Sequence, residues 1–482
     1  MKNSMKPRAR IIASLGPASR DQTTIRRLID AGMNVARINF SHGTHEQHAE
    51  LIDNIRVVSV AANHPIAILL DLQGPKIRIG TLSEGKAELI AGNTLTLTTE
   101  AISGDEKIAP VDYHDLPNCV SPGSKILLDD GKIELRVETV GVNTVETVII
   151  TGGTLKSHKG VNIPGGDLNI QSFTAKDLAD LTFGLQHGGD IVALSFVRSA
   201  ADIDQLRKQI AAIAPQRADT PIIAKLERPE AIDNLHEIMH AADGVMIARG
   251  DLGVEIPPET VPVIQKRIIE MANQHARVVI TATQMLESMI ADPRPTRAEA
   301  SDVANAIFDG SDAVMLSGET AVGKYPVETV KMMASIIAQS EAHMQQWGHI
   351  DIKPSDDLPH DNARYVTRAA KELVADKDVT AIAVFTQSGR TARLMSKARP
   401  AVPILAFTSV QHTYQRLGAY WGVIPALIPH AENVEEMIAH VEAGLLTTIS
   451  MQPGQEVVII AGFPIGEKGP ANFTLLHTIQ GH

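Results

Sequence analysis

Two short apolar runs end in charge. Ile222-Ile223-Ala224-Lys225-Leu226-Glu227 and Val245-Met246-Ile247-Ala248-Arg249-Gly250-Asp251 each read as a strand closing on a cation and a carboxylate. Residues two apart in a strand face the same way, so Lys225 and Glu227 are expected to project together, and likewise Arg249 and Asp251. A cation and a carboxylate at each of two neighbouring strand ends is what is needed to hold a divalent metal and neutralise a phosphorylated substrate. Two structural ion pairs would produce the same pattern, because ion-pair networks also place charge at strand termini. The rest of the chain separates the two readings.

Eight short, β-branched runs are expected to be strands: 10–15, 34–40, 66–71, 191–196, 222–226, 244–248, 278–282 and 313–316. The segments between them carry helical patterning. Residues 21–32 have an N-cap aspartate, an apolar stripe and a terminal glycine, and 200–214, 228–241 and 258–275 behave alike. Strand and helix in alternation mean a parallel sheet, and eight such units predict a closed (β/α)8 barrel of the TIM type. The barrel is assigned to residues 1–72 and 170–345. Between its two parts, 73–169 is rich in Gly, Thr and Val, with period-two alternation at 94–98 and 132–137 and turns at Asp129-Asp130-Gly131 and Gly152-Gly153. It reads as an inserted all-β domain, a small barrel or sandwich, and is assigned as a β-barrel lid. The polar stretch 346–360 reads as a linker, and 361–482 as an open α/β domain with a helix at 361–375 and strands at 380–385, 403–408 and 456–461.

Barrels of this kind carry their sites at the C-terminal ends of the strands. Those ends supply Arg37, Asn39 and Ser41 from the second run and Asp71 from the third, followed by Leu72-Gln73-Gly74-Pro75-Lys76-Ile77-Arg78. The fourth run gives Ser195, the fifth Lys225 and Glu227, and the sixth Arg249, Gly250 and Asp251. The seventh gives Thr281, Thr283 and Gln284, and the eighth Ser317 and Glu319. Glu227 and Asp251 are hard oxygen donors of the kind that hold Mg2+. Arg37, Arg78, Arg249 and Lys225 are too many cations for one carboxylate but suit a phosphoryl group, whose transfer needs positioning and charge neutralisation. Lys225, beside a metal carboxylate, is the candidate for bridging charge at the transferring group. Thr283 is a neutral hydroxyl able to position a carboxylate or relay a proton.

The net charge of -12 argues against non-specific nucleic-acid binding. No apolar run approaches the ~20 residues of a membrane span. The basic N-terminus precedes an apolar stretch too short for a secretion signal. A single cysteine, Cys119, allows no internal disulfide and suits a reducing cytoplasm. In the third domain, Thr386-Gln387-Ser388-Gly389-Arg390-Thr391 follows a strand and opens a helix, a setting for an anion, with the loop 462–469 able to close over it.

Several segments resemble the signatures of the pyruvate kinase family: Asn34-Val35-Ala36-Arg37-Ile38-Asn39-Phe40-Ser41-His42-Gly43, Ile223-Ala224-Lys225-Leu226-Glu227 and Ala248-Arg249-Gly250-Asp251-Leu252-Gly253-Val254-Glu255. So do Ala282-Thr283-Gln284-Met285-Leu286-Glu287-Ser288-Met289 and Pro293-Arg294-Pro295-Thr296-Arg297-Ala298-Glu299, and the resemblance spans essentially the whole chain. It implies Mg2+-dependent phosphoryl transfer from phosphoenolpyruvate to ADP, with Mn2+ able to replace Mg2+. By matching position, Arg37 meets the substrate phosphoryl group and Lys225 stabilises it in transfer, while Glu227 and Asp251 bind the metal. The Gly250 and Asp251 backbone and Thr283 hold the substrate carboxylate; Arg78, Lys159 and Asn39 face the nucleotide. Asn39, Ser41 and Asp71 with the carbonyl of Leu72 match a K+ pocket. The resemblance further implies a phosphorylated effector at Thr386, Ser388, Gly389, Arg390 and Thr391, and a homotetramer.

Two departures stand out. Lys76 occupies the position where K+-dependent members carry glutamate, so its ammonium is expected to make K+ dispensable. His158-Lys159 replaces a frequent pair of lysines. A metal-dependent lyase or aldolase acting on a similar substrate is the rival enzyme reading. A metabolite sensor that had lost catalysis would lack Lys225, Glu227, Asp251 or Thr283, and all four are present.

Overall fold

The structure is a computed structural model that describes residues 7–166, 172–349, 353–355, 357, 361–465 and 469–480. Part of the expected linker, at 350–352, 356 and 358–360, lies outside the described residues.

Eight parallel strands close into a barrel: Arg10–Ser14, Met33–Asn39, Ala67–Asp71, Ile191–Leu194, Ile222–Leu226, Gly244–Ala248, Val278–Ala282 and Ala313–Leu316. Closure comes from the first strand pairing with the eighth, Arg10 opposite Ala313. Apolar side chains at alternate positions fill the interior, among them Ile12, Val35, Leu69, Ile223, Met246 and Ile280, and the intervening residues pack outward under the helices. Burial on both faces is why these strands read as unbroken apolar runs. The first helix, Gln22–Ala31, has the ends its sequence calls for. Asp21 accepts the Thr24 amide hydrogen, and Gly32 takes φ 118° at the C-terminus.

The helix expected over 228–241 is two helices, Pro229–Asp233 and Leu235–Ala241. Asn234 breaks it, and its side-chain amide donates to the Arg198 carbonyl at 2.9 Å. This is the competition of a short polar side chain with helical hydrogen bonding. The third strand is set by a close approach. A Cβ on Gly189 would stand 2.3 Å from Leu70 Cδ1 and 2.5 Å from Cγ, and Leu70 is fully buried beside Asp71. We expect Gly189→Ala to cost ~1–3 kcal/mol through overpacking, read as a lower urea midpoint; an unchanged midpoint would refute this close packing.

The inserted segment wraps a six-stranded and a two-stranded sheet around one core. The isolated bridge Arg78–Gly160 draws its entry and exit together, and Ile79–Val111 and Leu82–Gly104 tie the entry to its interior. The C-terminal segment forms a five-stranded sheet in the order Val423–Leu427, Ile404–Thr408, Val379–Phe385, Glu456–Ala461, Phe473–Thr478, the last strand antiparallel. The two outermost strands went unread in the sequence. Pro425 weakens the signal of one, and proline is tolerated there because the strand lies at an edge.

This domain docks on the end of the barrel where the strands begin. Arg10 Nε donates to the Tyr420 carbonyl at 2.6 Å, Arg393 Nη1 to the Asp243 carbonyl at 2.9 Å, and Asp312 receives Lys397 at 2.6 Å and Arg399 at 2.7 Å. The opposite end, where the strands finish, is left to the inserted domain and the site.

Candidate active site

Lys225 is the hub of the strand ends. Its Nζ donates to Ser195 Oγ at 2.7 Å and lies 2.8 Å from Glu227 Oε1 and 3.3 Å from Asp71 Oδ1. Ser195 in turn donates to the Leu72 carbonyl at 2.7 Å. Asp71 Oδ2 accepts from Arg37 Nε at 2.6 Å, and Arg37 Nη1 donates to Ser14 Oγ at 2.8 Å. One connected group thus runs from the first strand to the fifth. The expectation that Lys225 and Glu227 project together holds in this geometry.

Burial opposes the charge on Lys225, but Asp71 and Glu227 more than offset it and hold its pKa above that of an ordinary lysine. Burial likewise works against ionised Asp71, and Lys225 and Arg37 outweigh it, so its pKa is depressed. Glu227 goes the other way. Burial, with nearby Asp251 adding to it, raises its pKa although Lys225 opposes the shift. Its Oε2 accepts the Phe196 amide hydrogen at 2.9 Å. When ionised, Asp71, Glu227 and Asp251 bring three negative charges against the two positive charges of Arg37 and Lys225. The surplus, held on hard oxygen donors, fits a divalent cation at Glu227 and Asp251.

The expectation that Arg249 and Asp251 face the same way is wrong. The sixth strand ends at Ala248, and Arg249–Glu255 is a helix. Two helical residues are ~200° apart around the axis, so their side chains diverge. Arg249 turns away to anchor the neighbouring loop: it pairs with Asp302 at 2.7 Å and donates to the Thr283 carbonyl at 2.8 Å. Asp251, in the first helical turn, lines a cleft between the barrel and the inserted domain, with Lys76, Asn162, Phe196, Arg228 and Glu255. The far end of the same helix is tied to the inserted domain, since Asn162 donates to Glu255 Oε1 at 3.0 Å.

Thr283 has φ 67° and Gln284 φ 54°. A β-branched residue with positive φ is a genuine outlier, and such strain, of order ~1–3 kcal/mol, clusters at functional sites. The Thr283 hydroxyl accepts the Gly250 amide hydrogen at 2.7 Å and donates to the Ala282 carbonyl at 2.6 Å. Thr283 is thereby brought against Gly250, the residue before Asp251.

The remaining candidates are less closely joined. Asn39 Oδ1 accepts the Ser41 amide hydrogen at 3.1 Å, and Asn39 stands opposite Asp71 in the strand register. Leu72 buries its side chain completely while its carbonyl meets Ser195. Lys76 rests against Gly160, where a Cβ would come within 3.1 Å of its Cε, and it makes no ion pair with a described residue. Arg78 donates to the His158 carbonyl at 3.0 Å, and Lys159 pairs with Asp129 at 2.7 Å. Neither bonds to the Lys225 group among the described residues.

His42 was not singled out in the sequence. Burial, then Arg78, Lys76 and Arg37 in turn, push its pKa down, so cations from the barrel and the loop beyond it converge there. Its only sequence signal was its place one residue past Ser41.

In the C-terminal domain the anion candidates largely satisfy one another. Thr386 Oγ1 accepts the Gly389 amide hydrogen at 3.0 Å, Ser388 Oγ that of Arg390 at 3.4 Å, and Arg390 pairs with Asp361. Gly389 has φ 78° and precedes the helix Arg390–Lys397, while Thr391 is buried within it. Of the loop expected to close over them, 466–468 lies outside the described residues.

Two family models match the chain: pyruvate kinase, barrel domain, over residues 6–330, and pyruvate kinase, alpha/beta domain, over 364–477. A pyruvate kinase of Geobacillus stearothermophilus is 45% identical, over 99% of this chain and 81% of the relative. One of Thermococcus litoralis is 44% identical, over 96% of this chain and 97% of the relative. The crystal structure of a pyruvate kinase from Cryptosporidium parvum superposes with a TM-score of 0.90 at 34% identity, covering 99% of this chain and 98% of that one. The family uses Mg2+ and K+, and allosteric regulation is typical of it. The chain belongs to the pyruvate kinase family, the phosphotransferases that convert phosphoenolpyruvate and ADP to pyruvate and ATP.

Proposed function

We propose that the Lys225 group is the phosphoryl-transfer centre. The reading rests on one observation: the Lys225 ammonium lies between Asp71 and Glu227 at 3.3 and 2.8 Å, with Asp251 close enough to act on Glu227. Arg37 and Lys225 hold the phosphoryl group of phosphoenolpyruvate. Glu227 and Asp251 hold Mg2+, or Mn2+ in its place, which when bound neutralises charge on the substrate oxygens. The Gly250 and Asp251 backbone and Thr283 orient the substrate carboxylate. Arg78, Lys159 and Asn39 steer the nucleotide, so that a β-phosphate oxygen of ADP bonds to phosphorus as the bond to the enol oxygen breaks. The enolate left behind takes a proton at its methylene carbon, delivered from the Thr283 hydroxyl through water.

The test is pyruvate formation from phosphoenolpyruvate with and without ADP. Release that needs ADP supports the kinase; release without it favours the lyase. In the same assay K+ is replaced by tetramethylammonium. With Lys76 supplying the charge beside Asn39, Ser41, Asp71 and the Leu72 carbonyl, activity is expected to persist, and its collapse would overturn that role. For Thr283→Ala, exchange of the pyruvate methyl protons with solvent is expected to slow by ~10²–10⁴-fold, the usual range for losing a proton-transfer group. Exchange at the wild-type rate would sink the Thr283 route.

The anion setting at Thr386, Ser388, Gly389, Arg390 and Thr391 supports a phosphorylated metabolite as effector, to be sought in a panel of sugar phosphates and nucleotides. We further infer a homotetramer acting in the cytoplasm, checked by light scattering and cell fractionation. No described helix is long and apolar enough to cross a membrane.

A further inference from the structure

Three histidines and an aspartate converge on the outside of the barrel, near the end where its strands begin. His236 and His240 lie one turn apart on the helix Leu235–Ala241 and so share a face. His275 caps the helix Val261–Gln274, and Asp357 comes from the segment between the barrel and the C-terminal domain. One potential ligand atom from each lies within 4.8 Å of all the others. His236 Nε2 is 2.7 Å and His240 Nε2 2.9 Å from Asp357 Oδ2, and His275 Nε2 is 3.7 Å from Oδ1.

Ion pairing accounts for His236 and His240. It does not account for His275, whose side chain is 3% exposed. Its Nδ1 lies 2.9 Å from the Met271 carbonyl, which can only accept, so Nδ1 carries the ring proton. Nε2 therefore presents a lone pair toward the cluster, and it has no hydrogen-bond partner. Buried polar atoms of this kind are rare and call for an explanation such as an ion. An imidazole whose other nitrogen is fixed by a backbone carbonyl is the usual form of a metal-bound histidine. Ser355 donates to Asp357 Oδ1 and so helps fix the carboxylate.

We propose that His236, His240, His275 and Asp357 bind one Zn2+ ion, or a similar imidazole-preferring divalent ion, in a tetrahedral site of three nitrogens and one oxygen. Metal–ligand bonds of ~2.0–2.2 Å in a tetrahedron place donor atoms ~3.3–3.6 Å apart, within the 2.7 to 4.8 Å spread seen here. Mg2+ prefers six oxygens, so the catalytic ion does not compete for three imidazoles. A bound Zn2+ clasps the segment carrying Asp357 to two helices of the barrel, and so fixes the chain that leads into the C-terminal domain.

The experiment uses the full, tag-free chain, stripped of transition metals and kept in excess Mg2+. Co2+ serves as the probe, because tetrahedral Co2+ absorbs far more strongly in the visible than octahedral Co2+. The wild type is expected to take up one Co2+ per chain with the strong absorption, displaced by Zn2+. In the His236→Ala/His240→Ala variant the affinity falls at least ~10-fold, the smallest loss usual for damage to a metal site. Both substituted side chains are partly exposed, at 63% and 36%, and retained phosphoenolpyruvate–ADP activity verifies that the variant is folded. Equal Co2+ uptake by the two proteins, or only weak octahedral absorption by the wild type, overturns the proposal.

Discussion

Lys225→Met is expected to lower kcat for pyruvate formation by ~10³–10⁵-fold, the range for removing a cation that neutralises a transferring phosphoryl group. KM for phosphoenolpyruvate should change far less, because Arg37 remains to hold the substrate. Methionine keeps most of the buried volume, so the loss reports charge rather than packing. There is a cost in stability. Removing one partner of a buried ion pair typically costs ~3–5 kcal/mol. The lower end is expected here, since Asp71 keeps Arg37 at 2.6 Å and Glu227 keeps the Phe196 amide at 2.9 Å.

The pH dependence follows from the shifts. The pKa of Lys225 is raised, so its contribution is complete below the unfolded value of ~10.4 and is lost as pH rises through the folded value. The pKa of Asp71 is depressed, so its contribution is present above the unfolded value of ~3.9 and is lost as pH falls through the folded one. The variant should therefore show a weaker decline in stability at high pH than the wild type. A Lys225→Met protein with kcat near that of the wild type would remove this lysine from the chemistry.

Glu227→Gln should raise the Mg2+ concentration for half-maximal activity by at least ~10–100-fold and lower kcat at saturating Mg2+ by ~10²–10³-fold. The amide oxygen can still accept from the Phe196 amide, and Lys225 still has Asp71 and Ser195, so the backbone is not disturbed. What disappears is one negative charge from the surplus that fits a divalent ion. Burial and Asp251 raise the pKa of Glu227, so a proton competes with the metal as pH falls. The Mg2+ requirement of the wild type should then rise toward acid pH, and that slope should flatten in the variant. In the metal-free chain the sign for stability is also defined. The folded state binds this proton more tightly than the unfolded state, so Glu227 lowers stability as pH climbs from ~4.3 through the raised value. Titrating activity with Mg2+ at several pH values tests the assignment, and parallel slopes in the two proteins would reject it.

The strand ends were legible because barrel strands are buried on both faces. Four of the eight strands, Ile222–Leu226, Gly244–Ala248, Val278–Ala282 and Ala313–Leu316, begin and end where their apolar runs do. Charges at or just past the end of such a run therefore fall at the mouth of the barrel, which made Lys225, inside its strand, and Glu227, one residue beyond it, readable. The same rule failed past the sixth strand, at Arg249. Nothing local distinguishes a strand that continues from one that turns into a helix, and Arg249 and Asp251 part company because the backbone turns helical there. The strain at Thr283 was equally invisible. Thr283 is held by bonds from Arg249 and Gly250, which come from a different strand end.

The sequence by itself determined the elements, their order and the charged residues offered at the strand ends, because period and burial are local properties of the chain. Only the tertiary structure decided which charges meet. Asp71 joins Lys225, Arg249 leaves the cleft for Asp302, and three cations help depress the pKa of His42. The lone pair of His275 likewise comes to face residues 35 to 82 positions away, at His240, His236 and Asp357. Coulomb and hydrogen-bond energies depend on separation in space, and in a closed barrel the partners across its mouth come from distant parts of the chain.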